Sequence, residues 1–236
     1  IIQQAYAAIR YKWIGIWGGN RELITAYLNP LLSSGGLVWS SNARPIPQIC
    51  VGILDYIHLT PGIQLKVKVS YGWFTDGKYQ ERNVGEVYSY VKKTKFHHKS
   101  IYFRFGNPER HWLFDAGIRM DDQFGGYATR GPRSGNLGNS WKDYLNAFIP
   151  RNSGEGEYFD GNYLGSEHLK LTYQNKNILC SIYLENYYDD LSGMGKLNGM
   201  DGLWGIEYKI DKKQIINNII LEYYQSTKQS GPLHGK

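Results

Sequence analysis

Residues 64–71 alternate between apolar and polar positions, with Leu65, Val67, Val69 and Tyr71 on one side and Gln64, Lys66, Lys68 and Ser70 on the other. Residues 112–121 do the same: Trp112, Phe114, Ala116, Ile118 and Met120 share one face, and Asp115, Gly117, Arg119 and Asp121 the other. In 166–174, Leu169, Leu171 and Tyr173 oppose His168, Lys170, Thr172 and Gln174. A period of two predicts strands with one apolar and one polar face. Strands are predicted at 2–11, 13–19, 48–53, 62–74, 101–106, 111–120, 163–174, 178–187, 203–210 and 215–224. Residues 139–148 read as a helix, with Trp141, Tyr144, Leu145 and Phe148 on one side and Ser140 near its start.

The connections alternate in length. Tight turns fall at 107–110, 174–177 and 211–214, and Pro108 suits the first because proline cannot continue a ladder. Long loops run from 75 to near 99, from 122 to near 165, and from 188 to 201. Short turns on one rim and long loops on the other characterise outer-membrane barrels. Aromatic pairs at strand ends, Trp73-Phe74, Tyr187-Tyr188 and Tyr223-Tyr224, fit interfacial girdles. The expected fold is therefore all-β: an antiparallel transmembrane outer-membrane β-barrel of about ten or eleven strands, with a short helix in a long loop that folds over or into it. A soluble sandwich or open barrel is the alternative, since those alternate too. The apolar run at 215–224 fits a porin-like lumen poorly. The chain opens inside one apparent strand and stops just beyond another. Residues 1–236 are accordingly expected to be a single, incomplete barrel domain cut at both ends, with an export signal upstream.

Composition narrows the chemistry. Aromatic residues make up 15% of the 236 positions, and 20 of them are Tyr. Tyr and Trp, with an apolar ring and a polar tip, suit a membrane interface or a sugar-binding surface. Mean hydropathy is −0.48, and no apolar run reaches the roughly 18 residues that a spanning helix needs. Net charge is +6 and the pI about 9.1, so the chain attracts polyanions such as lipopolysaccharide phosphates and acidic polysaccharide. The basic residues are scattered, which argues against nucleic acid as a partner. Cys50 and Cys180 form no CxxC pair; they read as small apolar residues, with a disulfide left open.

Several phrases resemble capsule assembly proteins of the Wzi family in their Bacteroidetes form. They are Ser33-Ser34-Gly35-Gly36-Leu37 with Trp39, Asn42-Ala43-Arg44-Pro45-Ile46-Pro47, Gly72-Trp73-Phe74-Thr75-Asp76 and Gln123-Phe124-Gly125-Gly126. Gly161-Asn162-Tyr163-Leu164-Gly165-Ser166, Asp189-Asp190-Leu191-Ser192-Gly193, Asp201-Gly202-Leu203-Trp204-Gly205 and Gln229-Ser230-Gly231-Pro232 continue the set in order. The resemblance implies an outer-membrane barrel of about 18 strands that acts as a non-enzymatic surface lectin. It would bind capsular or related exopolysaccharide and help hold it on the bacterial cell. This chain would then be an interior piece of such a barrel.

A glycan site needs a flat apolar face to stack on sugar rings, and planar polar groups for hydroxyls and acid groups; Arg suits carboxylate by its two-point geometry. On chemistry alone the candidates are Trp39, Asn42 and Arg44; then Trp73, Asp76 and Tyr79; then Arg130, Arg133 and Trp141; and finally Tyr187 and Asp190, beside Tyr188 and Asp189. Each cluster also reads as structural: girdle aromatics, salt bridges or loop-capping Asp. Arg10, Lys66, Lys68, Arg104, Arg119 and Lys170 lie on polar strand faces with Asp115, Asp121 and Glu185, where charge pairs could tie strands to an internal plug. Enzymatic readings are weaker. The adjacent carboxylates Asp121-Asp122 and Asp189-Asp190 would each point to opposite faces of a strand, so neither doublet is a glycosidase pair. His97-His98 lacks a zinc spacing, no GxSxG is present, and no Walker or dinucleotide motif occurs. No catalytic residue, metal or cofactor is expected. A porin-like channel for oligosaccharides and a soluble glycan-acting β protein are the alternatives.

Overall fold

The computed structural model describes residues 3–25, 27–40, 42–84, 89–130, 134–149, 162–189, 194–196, 199–211 and 215–228. The strands are β1 Ala5–Tyr11, β2 Ile14–Asn20, β3 Gln48–Thr60, β4 Ile63–Trp73, β5 Val91–Lys92, β6 Lys95–Phe105, β7 Trp112–Phe124, β8 Tyr127–Ala128, β9 Gly135–Asn136, β10 Asn162–Gln174, β11 Ile178–Tyr188, β12 Gly202–Ile210 and β13 Asn218–Gln225. The helices are α1 Tyr79–Asn83 and α2 Trp141–Phe148, with a single 3-10 turn at Pro108–Arg110.

Ten strands form one sheet in the order β1-β2-β3-β4-β6-β7-β10-β11-β12-β13. Every pairing in it is antiparallel. β1 and β13 are its two edges; among the described residues the sheet is not closed on itself. β5, β8 and β9 make a small second sheet in the long loops. The expected rim asymmetry is present: β1–β2, β3–β4, β6–β7, β10–β11 and β12–β13 are joined by short connections at one end, and the long connections lie at the other.

Opposite residues in an antiparallel pair share a face, so the register gives the chemistry of each side. One rung reads Ile63, Phe105, Phe114, Leu171, Ile182, Ile206, Leu221, and the next on that side reads Leu65, Phe103, Ala116, Leu169, Leu184, Trp204, Tyr223. None of these side chains is buried, and the first rung is the more open: Phe114 is 40% exposed, Ile182 55% and Ile206 53%. The opposite face carries Gln64, Ser70, Ser100, Asp115, Arg119, Asp121, Ser166, His168, Thr172, Ser181, Glu185 and Glu207, all buried. The sheet is thus inside out relative to a protein packed in water. Over these rungs its apolar face is bare and its polar face is covered, while toward the long-loop end Met120, Tyr163 and Tyr188 on the apolar side are buried; we call the two sides the outer and inner faces.

Residues 21–47 cover the inner face. Asn29 Nδ2 donates to Glu207 Oε1 at 2.8 Å, Leu37 N to Glu185 Oε2 at 2.9 Å, and Lys170 Nζ to the Tyr27 carbonyl at 2.7 Å. Glu222 accepts from Ser33 Oγ (2.6 Å), Ser34 N (2.8 Å), Ser34 Oγ (2.7 Å) and Tyr183 OH (2.7 Å). Carboxylates on three strands, with the Lys170 ammonium from a fourth, thereby satisfy a segment with almost no regular hydrogen bonding of its own. Three rings lie flat on cross-strand glycines. A Cβ on Gly117 would meet Tyr102 at 2.0 Å, one on Gly165 would meet Tyr188 at 2.1 Å, and one on Gly205 would meet Tyr183 at 2.0 Å.

Three expectations need correction. α2 lies on the outer face rather than over or in the interior. Tyr71 OH and Tyr163 OH donate to its Tyr144 and Asn146 carbonyls, Lys95 Nζ donates to Tyr144 OH at 2.7 Å, and Lys99 Nζ reaches the Phe148 carbonyl. β6 begins at Lys95, not at 101; apart from the buried Phe96 its first half is polar on both sides, so the alternation does not mark it. His97 and Lys99 face outward beneath α2, while His98 and Ser100 face inward. β3 continues past residue 53 to Thr60, through a register shift between Ile53 and Ile57 that interrupts the alternation.

Candidate functional site

All described candidates for glycan contact lie toward the long-loop rim, but in different settings. Trp39 is buried. Its ring packs against Phe96 with centroids 6.2 Å apart, and the Arg119 guanidinium stands 5.1 Å from the ring centroid. Arg119 and Phe96 thus occupy the surface that a sugar would stack on. Asn42 and Arg44, from the same segment, are exposed. Trp73, at the end of β4, is 52% exposed. Asp76 accepts from the backbone amides of Lys78 (2.9 Å) and Gln80 (3.1 Å). The Gln80 amide first, and the Lys78 amide with it, hold the Asp76 carboxyl below its ordinary value. Asp76 therefore shapes the entry to α1, and Tyr79 opens that helix with its ring exposed.

Arg130 is exposed, and its carbonyl accepts from Ser89 Oγ at 2.8 Å. Trp141 begins α2 and is 76% exposed. Asp143, two residues on, accepts from the amide and hydroxyl of Ser140, both at 2.7 Å. The Ser140 hydroxyl, then its amide, depress the Asp143 carboxyl. Tyr187 is half-buried near the end of β11. Arg133 and Asp190 lie outside the described residues.

A second cluster occupies the inner face. Lys68, Ser100 and Arg119 are direct cross-strand neighbours on β4, β6 and β7, with Lys66 opposite Tyr102 one rung away. They line a cavity of about 470 Å³ between the sheet and residues 21–24, together with Arg10, Arg21, Trp17, Glu22 and Asp55 among others. Arg10 pairs with Asp55, and Arg119 Nε donates to Asp121 Oδ2 at 2.5 Å. Among the described residues, neither Lys66 nor Lys68 has an ion-pair partner. Alternation put these cations on one face of the sequence, but which of them met a carboxylate depends on register between strands.

Ser166 Oγ lies 2.8 Å from His168 Nε2, the nearest approach to a nucleophile–base pair. Glu185 Oε1 approaches that same nitrogen, at 3.9 Å, rather than the other one, and all three side chains are fully buried. Tyr27 and Tyr102 pack edge-on against His168. The group has neither the geometry of a triad nor access for a substrate. No set of three or more His, Cys, Asp or Glu able to hold a metal occurs among the described residues. Cys50 and Cys180 are both free thiols.

Comparison of the chain with protein-family models, with curated proteins and with solved structures yields no match.

Proposed function

We propose that this chain is wall material of a bacterial outer-membrane β-barrel. In this reading the protein is a non-enzymatic lectin that binds capsular or related exopolysaccharide and helps hold it on the cell, with outer-membrane lipid and lipopolysaccharide as its surroundings. The observation that carries the membrane part is the inverted polarity of the sheet. Two adjacent outward rungs of Ile, Leu, Phe, Trp and Tyr hold no buried side chain, over an inner face of buried charged and polar groups. In water each exposed apolar Å² costs about 25 cal/mol, and contiguous patches of this kind mark an interaction surface. Hydrocarbon removes that cost, and outer-membrane strands alternate in this sense. No helix among the described residues is long and apolar enough to span a bilayer, so strands would do the crossing.

Net charge, the exposed Trp73, Tyr79, Arg44, Arg130 and Trp141 at the long-loop rim, and the ordered resemblance to Wzi-family phrases support the polysaccharide part. The test is the split between cell-attached and shed polysaccharide in a strain lacking the gene and in its parent. Retention predicts unchanged total polysaccharide with a shift into the medium. Unchanged attachment refutes it. An oligosaccharide channel is the second reading, favoured by the open volume left on the inner face and opposed by residues 21–47 lying across that face. Stepwise conductance of the full-length protein in a planar bilayer would decide for the channel.

A further inference from the structure

Inside the sheet, a set of cations surrounds unfilled space. The cavity between strands β1, β2, β3, β4, β6 and β7 and residues 21–24 has a volume of about 470 Å³, within the size range of small-molecule sites. Five cationic side chains line it, Arg10, Arg21, Lys66, Lys68 and Arg119, against two carboxylates, Glu22 and Asp55. The carboxylates are already engaged: Asp55 with Arg10, and Glu22 as acceptor from Gln3 Nε2 at 2.7 Å. Arg21 is spread over the Tyr6 and Trp17 rings, 4.8 and 5.7 Å from their centroids. Lys66 and Lys68 are left with no ion-pair partner among the described residues, although both are half-buried. Lys66 rests over the Tyr56 ring, 5.7 Å from its centroid.

Arg119, which also lines the cavity, is short of a partner too. Its side chain is 5% exposed, and Nε is taken by Asp121, yet Nη2 has no hydrogen-bond partner. A buried guanidinium donor left unmade is costly, and buried charges are ordinarily paired. Lys68 and Arg119 flank Ser100 on adjacent strands, so ammonium, hydroxyl and guanidinium stand side by side on one rung. That set matches an oxyanion, which accepts several charge-assisted hydrogen bonds at once.

We propose that this cavity is a binding site for a small oxyanion, a carboxylate or sulfate, held by Lys66, Lys68 and Arg119 against the Trp17 and Tyr102 rings. The same chemistry is offered by the acid group of an acidic sugar and by a free inorganic anion. The site is interior, away from the rim residues assigned to polysaccharide retention, so either assignment can fail without the other.

The experiment is calorimetric titration of the full-length protein in detergent micelles, at constant ionic strength, with sodium glucuronate, sodium sulfate and glucose in turn. Saturable binding of glucuronate or sulfate, and none of glucose, is expected. Tighter glucuronate identifies an acidic sugar as the occupant; tighter sulfate identifies an inorganic anion. Lys68→Gln and Lys66→Gln should each weaken the bound anion about tenfold or more, the loss expected for one charge-assisted contact. Displacement by rising chloride in the unmutated protein gives the same answer if a variant does not fold. No saturable anion binding, glucose binding as tight as glucuronate, or full affinity in folded Lys66→Gln and Lys68→Gln proteins would overturn the site.

Discussion

Ile182→Arg tests the membrane reading where the sheet is most diagnostic. Ile182 pairs directly with Leu171 on β10 and Ile206 on β12, both on the outer face, and is itself 55% exposed. It lies four residues in from Ile178, the first residue of β11. At about 3.3 Å per residue, and with the tilt of a barrel strand, that is roughly 10 Å above the short-turn end, inside an apolar band about 25 Å tall. Arginine on the lipid face costs about 2–4 kcal/mol at the midplane and less toward the interface, so about 2–3 kcal/mol is expected here. That is a drop of about 30- to 150-fold in the folding equilibrium. If water bathed this face, the same change at a half-exposed position would stay within about 0.5 kcal/mol. The assay is urea-dependent folding of the full-length protein into phosphatidylcholine vesicles, with Ile182→Val as a control for lost bulk. Ile182→Arg folding as stably as that control would refute the argument from inverted polarity.

Glu222→Ala should release residues 21–47, because one carboxylate holds Ser33, Ser34 and Tyr183. A cost of about 2–3 kcal/mol is expected, seen as hydrogen exchange at 33–37 faster by about 30- to 150-fold. Gly205→Ala puts a methyl 2.0 Å from the Tyr183 ring, and the overpacking should lower stability by about 1–3 kcal/mol. Gly62→Ala, with nothing near the added carbon, should leave the urea midpoint in place. Asp143→Asn should loosen the start of α2 by about 1 kcal/mol, read as faster amide exchange over 141–148. The folded Asp143 carboxyl is depressed. Its stabilisation is therefore present above the ordinary carboxylate pKa of about 4 and is lost as pH falls through the lower folded value. Acid should mimic the Asn variant, and an Asn variant that keeps the acid response of the parent would assign that response elsewhere.

Alternation by itself determined the β class, most of the strands and the two chemistries of the sheet. Leu65 to Tyr71, Trp112 to Met120 and Leu169 to Tyr173 already separate the apolar face from the polar one. The tight turns and long connections likewise placed the two rims, since loop length is a property of the chain alone. α2 was legible as a helix from its spacing and from Ser140, though not its place on the outer wall. That position depends on Tyr71, Lys95, Lys99 and Tyr163, drawn from three strands. The same contacts hid the first half of β6, because a strand covered on both sides no longer alternates. Residues 29–47, with Ser33-Ser34-Gly35-Gly36, read as loop; only the folded register showed them anchored by Glu185, Glu207 and Glu222. Trp39 looked like a stacking surface in sequence and is packed under Arg119 instead. The interior cation cluster divides the same way. Sequence put Lys66, Lys68 and Arg119 on polar faces, whereas their convergence on one cavity came from pairing across β4, β6 and β7. Periodicity is a one-dimensional property that each strand carries alone; which charge meets which partner is fixed only when separate strands lock into register.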